Sequence, residues 1–258
     1  MVQLATTLER RILLSGVRNF RDLGGYVTRD GSTVRWRTVF RTSTLSDATP
    51  LDIERLLDLN VGLVLDLRSA EEIERNGISR LHDHDVEHRH APYRRHLRRT
   101  GEGVTGAFLR DHAGRGLDYL RGIEDALPAI RAVFVAIAEA QPGRAVAFNC
   151  EGGRDRTGVT AGLLLRALGV PDETIVADYT LTREYITGWR DITDEELAAR
   201  TASQDFEITR DMIETRPETM EAFLRGIDEY YGCTAEMLAV GGIDEALIER
   251  LRERLIEG

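Results

Sequence analysis

There is no lysine in this 258-residue chain; all 34 basic residues are arginine. That excludes a Walker-type nucleotide loop, which needs a lysine to reach the terminal phosphates, and any Schiff-base chemistry. Cysteine is nearly as scarce. Cys150 and Cys233 stand far apart, which fits neither a disulfide scaffold nor a zinc site of recognised spacing. A reducing compartment, the cytoplasm, is expected. Residues 1–11 lack the apolar run of a classical signal peptide, so export would need another route. No other stretch is apolar and long enough for integral membrane association. A net charge of −10 and a pI near 5.2 argue against nucleic acid as a partner.

What is present is a globular composition, 42% hydrophobic and 30% charged, with length for one large α/β domain over residues 1–258. Residues 16–26, with Asn19, Phe20, Arg21, Asp22 and the Gly24-Gly25 pair, read as a turn-rich opening. Residues 34–40 alternate like a strand that exits into Arg41. Residues 50–59 space Leu51, Ile53, Leu56, Leu57 and Leu59 along one helix face. The run from Val61 to Leu65 is continuously apolar apart from one glycine, as in a parallel strand covered on both sides. It ends at Asp66 and Arg68, and Ser69-Ala-Glu-Glu72 then forms a capping box that opens a helix. Asp66 and Arg68 either line a crevice at the strand's carboxyl end or pair to hold the loops. A long helical pattern covers 117–140, interrupted near Pro128; further helices follow at 171–185 and 217–231, and two short ones after 234. The fold class expected is α/β, a central mainly parallel sheet flanked by helices, with a helical lid in the C-terminal third. That lid is placed at residues 191–230, where 12 acidic residues face 4 arginines.

Everything converges on one stretch, Ala145-Val-Ala-Phe-Asn-Cys150-Glu-Gly-Gly-Arg-Asp-Arg156-Thr157-Gly158. A buried strand runs into a tight loop with Gly152 and Gly153, and a helix rich in Ala, Leu and Gly follows. Backbone amides and a helix N-terminus then point at one spot, which makes an anion site. Cys150 at the mouth of that field is expected to ionise readily. Arg156, six residues on, offers a planar fork to a phosphate. Thiolate, amide cradle of residues 151–156 and guanidinium suit attack on a phosphate monoester. The Cys-x5-Arg spacing alone is weak evidence where arginine is 34 of 258 residues; the strand, glycines, Asp-Arg-Thr-Gly exit and helix carry it.

With those features the sequence resembles the Cys-dependent protein tyrosine phosphatase superfamily. It is most similar to the bacterial, mycobacterial-type branch whose loop reads His-Cys-x-x-Gly-Lys-Asp-Arg-Thr-Gly. That branch has comparable Asn-Phe-Arg-Asp-Leu-Gly-Gly, Phe-Arg-Ser and Asp-Leu-Arg-Ser signatures, so the likeness spans much of the chain. The resemblance implies a phosphocysteine intermediate on Cys150, phosphate binding by Arg156 and the backbone of Glu151, Gly152 and Gly153, and a hydrogen bond from Thr157 to the thiolate. It also implies Asp155 as the acid for the leaving oxygen, and no metal or organic cofactor. Phosphotyrosine protein, phosphoinositide and a small phosphometabolite are the substrates to separate; a phosphate-binding module without turnover is the rival of another class. Asn149 departs from the family His and Arg154 from its Lys, which bears on rate and on substrate choice respectively.

Residues 82–96 hold five of the six histidines. With Arg89, Arg94, Arg95, Arg98, Arg99, Arg110 and Arg115 they read as a solvated loop or as a basic rim that draws in an anionic substrate. A metal site on His82, His84, His88 and His90 fits no recognised ligand set. Asp111 is a second candidate acid.

Overall fold

The structure, a computed structural model, describes residues 10–93, 111–186, 195, 198, 209 and 214–258. A five-stranded sheet lies at its centre, in the order β1-β3-β6-β4-β5, where β1 is Arg21–Asp22, β3 Val39–Thr42, β4 Val61–Asp66, β5 Glu87–His90 and β6 Ala145–Asn149. All neighbours are parallel except β1, which runs antiparallel to β3. The apolar runs of β4 and β6 are explained by cover on both faces. Leu63, Leu65, Val146 and Phe148 join one core cluster; Val61, Val64, Ala145 and Ala147 join the other. The mainly parallel α/β sheet expected from the sequence is the one found.

Helix α1 (Pro50–Asp58) covers one face, where Ile53 and Leu56 pack near Phe20 and Phe40. A capping box of Thr49 and Asp52 starts it. After β4 comes α2 (Ala70–Asn76), capped by Ser69 and Glu72 as the sequence predicts; no residue of it is buried. The other face carries α3 (His112–Arg121), α4 (Ile123–Glu139) and α5 (Asp155–Ala167), and α6 (Asp172–Tyr185) packs on α5. Helix α5 is buried on every side from Arg156 to Leu165, so it reads as apolar all round because it is a core helix.

Two local readings need correction. Residues 34–40 are not one strand: β2 (Thr33–Val34) pairs with β7 (Ile256–Glu257) in a separate ribbon, and β3 begins at Val39. The chain turns between them at Arg37, whose φ of 59° ends any strand. The break in the 117–140 pattern falls at Gly122, between α3 and α4, while Pro128 sits inside α4.

Half of the proposed lid at 191–230 lies outside the described residues. Its last part is described: α7 (Pro217–Tyr231) buries Met220, Phe223, Leu224 and Ile227 and packs on α3 and α6. Helices α8 (Thr234–Val240) and α9 (Glu245–Leu255) complete the order. Of the basic rim, Arg94, Arg95, His96, Arg98, Arg99 and Arg110 lie outside the described residues. Among those described, no group of three or more metal-ligating side chains occurs and no helix is long and apolar enough to cross a membrane.

Candidate active site

Strands β3, β6 and β4 are parallel, so Thr42, Asn149 and Asp66 end at one edge. Ligands bind in open α/β sheets at that carboxyl edge. Cys150 follows β6 directly, 3% exposed, and the loop 151–154 leads into the N-terminus of α5. Gly153 has φ +63°, and a Cβ there would lie 2.4 Å from the Thr42 carbonyl oxygen. Only glycine fits both constraints.

Arg156 lies in the first turn of α5. Its Nη1 and Nη2 donate to Glu72 Oε2 and Oε1 at 2.5 and 2.6 Å, a fork-on-fork pair that fixes the guanidinium plane. Burial pushes Arg156 down, but Glu72 and the neighbouring Cys150 sulfur outweigh it and raise it well above the usual arginine value. Cys150 directly follows β6 and Arg156 lies in the first turn of the helix that follows the loop, so both stand at the same end of the sheet. Glu72 also accepts from the Ser69 amide at 2.8 Å, so one carboxylate starts α2 and aims Arg156. Sequence reasoning found only the first of these roles; the partner lies 84 residues away.

Burial pushes the Glu72 carboxyl up, yet the bonds from Arg156 and Ser69 prevail and hold it at about 2, against an ordinary 4.5. A folded pKa below the unfolded one adds stability above the unfolded value, and this is lost as pH falls through the folded one. The melting-temperature gap between wild type and Glu72→Gln is expected to hold steady above about pH 5 and to shrink toward pH 2. A gap that stays constant throughout acid would show that the carboxylate charge does not carry the pair.

Asp66, Arg68, Asn149, Glu151, Arg154, Asp155 and Thr157 also lie at this edge. Asp155 Oδ1 accepts from the Tyr119 hydroxyl and from Arg154 Nε at 3.1 Å, and Arg154 Nη2 donates to Oδ2 at 3.3 Å. Burial pushes Arg154 down, but Asp155 raises it well above its ordinary value. Thr157 Oγ1 is buried without a hydrogen-bond partner among the described residues, an orphan that an anion would satisfy. Asp66 and Arg68 take the pairing alternative: Arg68 Nη2 lies 2.7 Å from Asp66 Oδ2 and also donates to the Gly77 carbonyl at 2.8 Å. Arg68 Nη1 is 3.6 Å from Glu151 Oε2, and Asn76 Nδ2 donates to Glu151 Oε1 at 2.9 Å. The Glu151 side chain thus binds the loop to α2. Asn149, in the family's His position, donates to Asp66 Oδ1 at 3.3 Å and ties β6 to β4. Asp111 caps α3 through the Gly114 amide at 2.7 Å.

A second set of residues escaped sequence reasoning. Arg21, Arg41 and Asp178 are buried together beside the loop. Asp178 Oδ1 accepts from Arg21 Nε at 3.0 Å and from the Tyr26 hydroxyl at 2.9 Å; its Oδ2 accepts from Arg41 Nη1 at 2.6 Å. Nothing in the sequence around Asp178 marks it, since its partners arrive from β1 and β3.

A thiol, a fixed guanidinium and a helix N-terminus meeting at a sheet's carboxyl edge can bind a phosphate and receive its phosphoryl group. Comparison with known proteins agrees. Residues 12–257 match the sequence profile of the tyrosine phosphatase family. The triple specificity protein phosphatase PtpB of Mycobacterium tuberculosis is 28% identical over 94% of this chain and 98% of its own. A tyrosine-protein phosphatase of Nostoc commune is 29% identical over 83% of this chain and 73% of its own. The chain therefore belongs to the tyrosine phosphatase family and is a Cys-dependent phosphoric monoester hydrolase.

Proposed function

We propose that this phosphatase acts on phosphotyrosine-bearing proteins, that Cys150 is its nucleophile and that Asp155 is its general acid. The observation that carries the assignment is Arg156, held fork-on-fork by Glu72 next to Cys150. The Cys150 sulfur attacks phosphorus and the bond to the leaving oxygen breaks, with Asp155 giving that oxygen its proton. Arg156 and the amides of 151–156 take the charge of the three equatorial oxygens. Water then attacks the phosphocysteine and gives a proton to the Asp155 carboxylate, the S–P bond breaks, and phosphate and thiolate return. Thr157, whose hydroxyl has no other partner among the described residues, donates to the departing sulfur.

The family and the name of the Nostoc commune relative support phosphotyrosine as the substrate class. The free, exposed thiol of Cys233 supports a reducing, cytoplasmic setting. Residues 1–258 act as one domain.

Acid-quenched mass spectrometry of the intact chain tests this reading. One phosphoryl group is expected on Cys150 early in turnover. Asp155→Asn should slow its formation from phenyl phosphate about 10²-fold or more, the low end for general acid catalysis, and much less from para-nitrophenyl phosphate. No phosphoryl adduct would refute the nucleophile, and equal losses on both esters would remove Asp155 from the acid role.

A further inference from the structure

Peptide geometry at the loop says more than its sequence does. In a trans peptide the carbonyl of one residue and the N–H of the next point in opposite directions, and the described residues contain no cis bond. Three successive carbonyls of the loop are tied. Glu151 O accepts from the Thr44 amide at 3.0 Å. Gly152 O and Gly153 O both accept from Asn19 Nδ2, at 3.3 and 2.9 Å. Gly153 O accepts in addition from Arg41 Nη2 at 3.0 Å. The amides of Gly152, Gly153 and Arg154 must therefore face the other way, toward the concave side of the loop.

The two clamping side chains are themselves held. Asn19 has φ +59°, a left-handed conformation that asparagine tolerates, and its Oδ1 accepts from Arg21 Nη1. Arg21 and Arg41 share the Asp178 carboxylate, and Arg21 Nη2 also reaches the Thr182 hydroxyl at 3.1 Å. All four residues are at most 2% exposed. Two guanidiniums against one carboxylate leave an excess positive charge beside the loop. Burial and the adjacent Arg21 push Arg41 down to about 10, still cationic at neutral pH.

We infer that Asn19 and Arg41, locked to Asp178 and Arg21, are positioning residues that hold the Gly152 and Gly153 carbonyls outward and so keep the oxyanion-binding amides turned inward before any phosphate arrives. The inference rests on the phosphate-binding reading of the loop, and it deepens that reading. It accounts for the buried Asn-Phe-Arg-Asp stretch as support for the loop, with no contact to substrate required. A loop prepared in advance gives up less free energy to reorganise when charge develops.

The test reads the cradle directly, without turnover. Asn19→Asp is isosteric, keeps the acceptor for Arg21 and keeps a residue that tolerates positive φ, but it turns a carboxylate oxygen on the Gly152 and Gly153 carbonyls. Its tungstate Kd by titration calorimetry is expected to rise about tenfold or more, since each 1.4 kcal/mol of lost interaction is a factor of ten. Arg41→Lys is the second variant: one ammonium cannot serve Asp178 and the Gly153 carbonyl in fork geometry, and its Kd is expected to rise as well. Melting curves establish that each variant is folded at the assay temperature. A folded Asn19→Asp or Arg41→Lys with wild-type tungstate affinity overturns the inference, because a role in stability alone would move only the melting curve. A wild type that binds no tungstate overturns it too. Tungstate binding without Cys150-dependent turnover would instead leave the positioning intact and sink the nucleophile assignment.

Discussion

Replacing Cys150 by serine is expected to cut the steady-state hydrolysis of para-nitrophenyl phosphate by on the order of 10⁴-fold or more, the scale seen when a nucleophile is removed. The two side chains are close in size, so the loop, the Arg156–Glu72 pair and the helix N-terminus should stay in place. What changes is the atom assigned to attack phosphorus. A serine hydroxyl is a weak nucleophile unless a base takes its proton. Among the described residues no histidine adjoins position 150 in sequence, where Asn149 stands instead and is bonded to Asp66. Binding should therefore survive while chemistry stops, with KM changed far less than kcat. Initial rates over a range of substrate concentration separate the two parameters. Turnover at the wild-type rate in Cys150→Ser would mean that the sulfur takes no part.

The largest loss of stability is expected from Asp178→Ala. Asp178 is 2% exposed and is the shared partner of Arg21 and Arg41. Removing one member of a buried charged set costs roughly 3–5 kcal/mol, because the groups left behind are buried and uncompensated. Two guanidiniums are stranded here, so the upper part of that range is expected. Urea unfolding should show it as a lower midpoint with little change in slope. The dependence on pH has a definite sign. Burial pushes the Asp178 carboxyl up, but Arg21 and Arg41 prevail and hold it well below the usual carboxylate range. The stabilisation is therefore complete above the ordinary aspartate value near 4 and is lost only in stronger acid. A gap between wild type and variant that closes between about pH 7 and pH 5 would contradict this account.

How much of this could be read beforehand depended on the range of the interaction. Strands β4 and β6 were legible because cover on both faces leaves continuous apolar runs. The Ser69–Glu72 cap was legible because both partners sit within one helical turn. The loop was legible because Gly153, Asp155, Arg156 and the helix after them follow each other in sequence. Asn19, Arg41 and Asp178 were not: they come from before β1, from β3 and from α6, and only the folded sheet brings them beside the loop. The same holds for Tyr119, whose hydroxyl reaches Asp155 from α3. The split of residues 34–40 was hidden because alternation continues through both short strands, and only the left-handed turn at Arg37 separates them. Pro128 misled in the other direction. A proline deep inside a helix usually breaks it, but here Leu127, Ala129 and Ile130 on either side are buried in the core, and that packing keeps α4 whole.

Helix α2 has a consequence for how this enzyme can be adjusted. It buries no side chain of its own, yet Glu72 in its first turn grips Arg156 and Asn76 at its far end grips Glu151. The bonds that aim Arg156 and seat the loop therefore run through a helix whose outer side meets solvent. Changes at solvent-facing Glu74 or Arg75, by shifting how often this short helix frays, would retune turnover while every group that meets the phosphate stays as it is.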